Sequence, residues 1–191
     1  MYVIFEGIDT SGKSTQIEIL GKKNPDFIIT KEPGQTKLGK DIREIILHLH
    51  NICKEAEFFL FLADRSEHFQ RIVKPNLDKT ILSDRGFISG MAYAYCNDES
   101  LDLDFLLDAN KYALSHTLPD KIVFFKTSKE LLEKRLGKKS EDNIEKRGFD
   151  YLLRVQDAME KIIKKLGIEY LHVNAKESIE DINKKIEGFL K

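Results

Sequence analysis

Residues 7–14 read Gly7-Ile8-Asp9-Thr10-Ser11-Gly12-Lys13-Ser14, a G-x-x-x-x-G-K-[ST] pattern, and Thr15 follows. A β-rich run, Tyr2–Phe5, precedes it and a helical pattern over Lys13–Lys22 follows, the context that gives this motif its meaning. Glycines allow the backbone to curl until its N–H groups converge on phosphate oxygens. The helix N-terminus adds partial positive charge at the same place. In that geometry Lys13 reaches the β- and γ-phosphates of a nucleoside triphosphate, and the Ser14 hydroxyl ligates Mg²⁺. A chain that begins this way is constrained to a strand–loop–helix opening, and the rest of the sequence must supply the sheet.

It does so by alternation. Phe27–Thr30, Ile81–Ser83, Lys121–Phe125 and Glu169–Val173 join Tyr2–Phe5 as five short strands, continuous enough in apolar residues for a parallel sheet covered on both faces. Helical patterns occupy Gly39–Leu49, Glu55–Arg71, Ile88–Tyr95, Asp102–Leu114, Lys129–Leu136, Tyr151–Lys165 and Ile179–Leu190. Glu55–Arg71 is apolar almost all round and is expected to be largely buried. Thr127-x-x-Glu130 reads as a capping box for the helix that follows it. The pattern predicts an α/β fold: a doubly wound, five-stranded parallel sheet of the P-loop NTPase kind, three-layered with helices on both faces. The 191 residues suit one domain spanning 1–191. Ligands in such sheets bind beyond the carboxyl ends of the strands, so the informative motifs should follow strands.

Composition narrows the partners. With 31 basic and 32 acidic residues the net charge is −1, which gives no global pull toward nucleic acid or a membrane surface. No apolar stretch is long enough to cross a bilayer. The N-terminus enters a strand at once, so no signal peptide is expected. Cys53 and Cys96 form no metal-binding pattern and read as reduced thiols of a cytoplasmic protein. A guanine-reading N-K-x-D tetrapeptide does not occur.

Four further segments resemble, in order and spacing, the motifs of the thymidylate kinase family. Lys31-Glu32-Pro33-Gly34 is similar to its R-E-P-G turn beside the acceptor nucleotide, with Lys for Arg. Arg43 matches the arginine that holds the acceptor phosphate, a task suited to a bidentate, permanently charged guanidinium. Phe61 and Arg65, four apart and so on one helix face, match the pair whose ring stacks on thymine and whose guanidinium bonds a base carbonyl. Asp84-Arg85 resembles the D-R pair after the third strand: the acid orients hydrated Mg²⁺ and the arginine holds phosphate oxygens at the transferring centre. Gly86 departs from the tyrosine or histidine usual there. Ser89, Gly90 and Tyr93 match the stretch lining the base and sugar, with Ala94 where glutamine often stands. Asp9 matches the acid that accepts from the acceptor's sugar hydroxyl. Thr10 replaces the arginine of one subgroup, which implies the other subgroup, whose cations come from a lid.

That lid is expected at about 135–149, a charge-dense stretch with Gly137 and Gly148 as flexible points. Arg135 matches the family's lid arginine on the ATP side, and Lys138, Lys139 and Arg147 are further candidate cations. The resemblance implies ATP- and Mg²⁺-dependent phosphorylation of dTMP to dTDP by a homodimer. The catalytic residues it implies are Lys13, Asp84, Arg85 and Arg135, with Ser14 and Asp84 as metal ligands. Donor contacts would come from residues 7–15, and acceptor contacts from Asp9, Glu32, Pro33, Arg43, Phe61, Arg65, Arg85, Ser89, Gly90 and Tyr93. Two other readings stay open at this point: a phosphotransferase for a different monophosphate or a deoxynucleoside, and a nucleotide-binding regulator without transfer. The presence of Asp84, Arg85 and Arg135 argues against the regulator.

Overall fold

The structure is a computed structural model and describes residues 1–49, 52–136 and 148–191. Its elements run β1 (Tyr2–Glu6), α1 (Lys13–Lys23), β2 (Ile28–Lys31), α2 (Lys37–His48), α3 (Lys54–His68), β3 (Ile81–Asp84), α4 (Phe87–Asn97), α5 (Leu103–Ala113), β4 (Lys121–Lys126), α6 (Lys129–Leu136), α7 (Phe149–Leu166), β5 (Glu169–Asn174) and α8 (Ile179–Phe189). The five strands form one sheet in the order β2-β3-β1-β4-β5. All four pairings are parallel. The expected α/β architecture is present, with strand boundaries within a residue or so of the reading from sequence.

The two-residue period of a strand builds the three layers. Tyr2 and Ile4, Ile81, and Ile122 and Phe124 point to one face, where they pack with residues of α2, α3, α4 and α7. Val3 and Phe5, Leu82, and Val123 and Phe125 point to the other, against Ile17 and Leu20 of α1 and Ile182 and Ile186 of α8. Because β1 pairs with β3 on one side and β4 on the other, its carboxyl end opens at the point where the strand order reverses, and the phosphate loop leaves from there.

Three expectations need correction. The helix α3 is not buried all round: Phe58 and Phe61 face the core, but Phe59 is 61% exposed. Its α-helical geometry ends at His68 and widens into a π-helical turn over Phe69–Val73 rather than running to Arg71. The start of α6 is capped one residue later than expected. Ser128 Oγ accepts from the Leu131 backbone N–H, whereas Thr127 Oγ1 is buried with no partner among the described residues. Thr127 is instead tied down through its backbone, which exchanges hydrogen bonds with the Gln156 amide. No helix among the described residues is long and apolar enough to cross a membrane.

Candidate active site

The phosphate loop joins β1 to α1 through positive-φ backbone at Gly7, Thr10 and Gly12. Gly7 has φ +147° and lies so close to β4 that a Cβ there would meet the Phe125 carbonyl oxygen at 2.7 Å. Gly12, at φ +106°, serves as the N-cap of α1. The first turn of α1 carries no acidic residue, which leaves its N–H groups and dipole to an anion. Lys13 curls back so that Nζ donates to the Gly7 and Ile8 carbonyls, each at 2.9 Å. Burial, and the charge of Arg85, lower its pKa to about 8. Ser14 Oγ donates to Asp84 Oδ2 at 2.5 Å, so two hard oxygen ligands, one from the first turn of α1 and one from the end of β3, stand side by side at the loop. That pair suits Mg²⁺, which takes one or two protein oxygens and completes its shell with water and phosphate.

Asp9 to Thr15, Arg43, Asp84, Arg85 and Arg135 line one cleft of about 880 Å³. Gly7 and Ile8 stand behind it, with the Ile8 side chain fully buried in the core. All ten expected acceptor residues, from Asp9 to Tyr93, line a second, adjoining pocket. Asp9, Glu32, Arg43 and Arg85 belong to both. The junction is therefore made of two arginines and two acids.

Arg85 is the hub of that junction. Its backbone sits in the left-handed region, φ +70°, a conformation costly for a non-glycine residue and typical of functional sites. The guanidinium donates to the Gly7 carbonyl (3.0 Å), the Ser89 hydroxyl (3.2 Å) and Asp9 Oδ1 (2.7 Å). Burial works against its charge, but Asp9, Asp84 and Glu6 hold it firmly protonated. In return Arg85, ahead of Lys13, lowers the Asp9 carboxyl to about 2.

In the second pocket, Arg43 of α2 donates to the Pro33 carbonyl at 3.2 Å. Its stem lies over Gly34, where a Cβ would be 2.8 Å from Arg43 Cδ. Arg65 of α3 is 2% exposed and held by three partners. Its Nε donates to Glu32 (2.9 Å), Nη1 to Asn110 (2.6 Å) and Nη2 to the Gly86 carbonyl (3.1 Å). Gly90 gives it room, since a Cβ at that position would lie 3.1 Å from Nη2. Gly86 lends its carbonyl to that frame, and a Cβ there would press on Ile4 at 3.0 Å. Arg135 donates to the backbone carbonyls of Thr10 (2.7 Å) and Ala175 (3.1 Å), which ties the end of α6 to the phosphate loop and to the β5–α8 turn. Lys138, Lys139 and Arg147 lie outside the described residues.

A scan of protein-family models matches residues 5–186 to the model described as Thymidylate kinase. The chain belongs to the thymidylate kinase family. It is 57% identical over 192 residues to the thymidylate kinase of Campylobacter concisus, with 100% of this chain and 98% of that protein covered. It is 50% identical over 191 residues to that of a Sulfurovum species, with both covered completely. Among solved structures, the thymidylate kinase of Ehrlichia chaffeensis superimposes with a TM-score of 0.79, covering 100% of this chain and 98% of that one, and shares the fold at 24% identity.

Four buried polar residues lie outside the family motifs. Asp64 Oδ1 accepts from the Gly34 N–H at 3.0 Å and so fixes the turn beneath Arg43. Asn110 and His68 complete the frame around Arg65 and Glu32. Glu6 accepts from the Ser89 backbone N–H at 3.2 Å and from the Ser89 hydroxyl, so a strand residue caps the N-terminus of α4 where Gly86 cannot. The signal for Glu6 was there to see: it is the single acid ending an otherwise apolar strand.

Burial raises the Glu6 carboxyl to about 7, against the opposing hydrogen bonds of Ser89 and the charge of Arg85. An acid whose folded pKa is raised keeps its full contribution below the unfolded value, near 4.3, and loses it as pH climbs toward 7. Glu6→Gln is therefore expected to gain stability relative to the parent as pH rises, by up to ~3 kcal/mol between pH 4.5 and pH 8. Thermal melts of both proteins at pH 5 and pH 8 check this, and a variant-to-parent gap that does not change with pH contradicts it.

Proposed function

We propose that this member of the thymidylate kinase family phosphorylates dTMP to dTDP with ATP and Mg²⁺, as one domain that carries the whole site. The observation that carries the reading is the junction at Arg85: one guanidinium contacts the phosphate loop, Asp9 of the acceptor side and the first turn of α4. ATP takes the cleft over the phosphate loop, with Lys13 on its β- and γ-phosphates. The dTMP lies in the adjoining pocket, its ring against Phe61, its base carbonyl on Arg65, its sugar hydroxyl on Asp9 and its phosphate on Arg43 and Arg85. Ser89, Gly90, Tyr93 and Pro33 close the walls, and Glu32 orients Arg65.

The acceptor phosphate is itself anionic, so transfer requires positioning and charge neutralisation rather than a strong base. Lys13 and Arg85 supply fixed cations where charge develops on the γ-phosphoryl oxygens. Ser14 and Asp84 would hold Mg²⁺, which when bound neutralises and aligns the phosphate oxygens of ATP. Arg135, pinned to Thr10 and Ala175, keeps the loop and the donor side in register. Exposed Phe59 of α3 and Phe105 and Tyr112 of α5 support a homodimer through that surface, since α4 is buried within the chain. The cytoplasm, with its nucleotide pools, is the compartment this chemistry fits.

A coupled ADP-release assay with ATP, Mg²⁺ and dTMP, dUMP, dCMP, AMP or GMP tests the reading. Strong preference for dTMP is expected. Preference for another monophosphate would discard the base-reading roles of Phe61 and Arg65, and no turnover with any of them would discard the kinase.

A further inference from the structure

His68 lies one helical turn beyond Arg65 on α3, at the last residue before the helix widens into its π-turn, and it is wholly buried. Both ring nitrogens are engaged. Nδ1 lies 2.8 Å from Glu32 Oε1, and since a carboxylate only accepts, Nδ1 carries the proton. Nε2 lies 2.6 Å from Thr30 Oγ1 on β2, which fixes the ring plane from the opposite side.

Glu32 thereby has one oxygen for each partner: Oε1 for His68 and Oε2 for Arg65 Nε. A carboxylate beside a guanidinium, left to itself, prefers the two-pronged arrangement in which both oxygens take N–H groups of the arginine. Here that arrangement would consume donors on the edge of Arg65. As built, Glu32, Asn110 and Gly86 take three of the five guanidinium N–H groups, and two are left for the pocket that Arg65 lines.

We infer that His68 is a positioning residue for base selection: by occupying Oε1 of Glu32 it confines that carboxylate to a one-pronged hold on Arg65 and so keeps the guanidinium edge turned to the nucleobase. His68 does not touch the substrate. Its effect rests on the reading of Arg65 as the base contact, and the tests are chosen to separate the two.

The readout is the ratio of kcat/KM for dTMP to that for dCMP, which carries an amino group in place of one base carbonyl. His68→Leu, which keeps the volume and removes the donor, should lower the ratio about fivefold, the worth of one hydrogen bond. KM for dTMP should rise while KM for ATP stays as in the parent. His68→Asn, which places an amide N–H where Nδ1 was, should restore most of the ratio. A merely packing role would lower the melting temperature and leave the dTMP-to-dCMP ratio unchanged, and that result overturns the inference. If His68→Leu does not fold, Thr30→Val decides by the same ratio: it frees the ring on the far side only and should give a smaller loss in the same direction, while an unchanged ratio overturns the inference. Arg65→Gln separates the premises. Should it keep the parental ratio, the base-contact reading fails and the role of His68 fails with it. Should it lose the ratio while the His68 and Thr30 variants keep it, the role of His68 alone is discarded.

Discussion

Arg85→Ala is expected to lower kcat for dTMP phosphorylation by about 10²–10³, the usual cost of removing one fixed group that stabilises transition-state charge. The three partners of the Arg85 side chain, the Gly7 carbonyl, the Ser89 hydroxyl and Asp9, belong to the phosphate loop and to α4. The same guanidinium therefore registers both substrates and supplies a charge that does not titrate in the working range. Arg85→Lys should recover only a fraction of the loss, because a compact ammonium cannot reproduce the planar contacts. Stability is a secondary matter here. Asp9, the ion-pair partner left behind, is 38% exposed at its side chain and can hydrate. Steady-state kinetics with saturating ATP, together with a melting curve to show that the variant is folded, make the comparison. A kcat within fivefold of the parent would remove Arg85 from the transferring centre.

Glu32→Leu is expected to be the most destabilising of the changes considered. The carboxylate is buried between Arg65 and His68, whose side chains are 3% and 0% exposed. Burial alone would raise its pKa, but Arg65 and His68 outweigh that and leave it lowered. Removing it strands a charged guanidinium in the interior, a loss of about 3–5 kcal/mol. For a chain of this size that corresponds to a fall in melting temperature of about 6–20 °C. The sign with pH follows from the lowered value. The stabilisation is complete above the unfolded carboxylate range and is lost as pH falls through the folded pKa. Melts at pH 7 should show the full gap and melts below about pH 4 a narrower one. A gap of under about 2 °C at pH 7 would mean that the network contributes little to stability.

The parts of this molecule that could be read from the chain are those encoded by neighbours in sequence. The phosphate loop, the Glu32-Pro33-Gly34 turn, the Asp84-Arg85 pair and the i, i+4 pair Phe61 and Arg65 each announce themselves within a few residues, and the strand pattern places them at one edge of the sheet. What escaped were contacts between segments far apart. Glu6 meets Ser89 across 83 residues, and Arg65 meets Asn110 across 45. Asp64 and His68 sit in a helix whose apolar residues drew the eye to packing, and no local pattern says that their partners are Gly34, Glu32 and Thr30. The capping shift from Thr127 to Ser128 and the exposure of Phe59 are of another kind. Each depends on which neighbours the rest of the fold brings to a helix, which side-chain hydrophobicity does not encode.

The central strand, β1, does not pair with β2, the strand that follows it in sequence. Tyr2 is matched to Ile81, and Val3 to Lys121. The phosphate loop is therefore synthesised well before β3 and β4, the strands that shape it. At about 5–20 residues per second, some 6–25 s separate synthesis of Gly7 from that of Lys126. Throughout that interval Gly7 has no β4 carbonyl to rest against, and for most of it the loop has no Arg85 to hold it, so the nucleotide site stays incomplete until β4 is made. Maturation of the ligand site is a late, post-assembly event, and pairings this distant belong to the slow end of the folding spectrum.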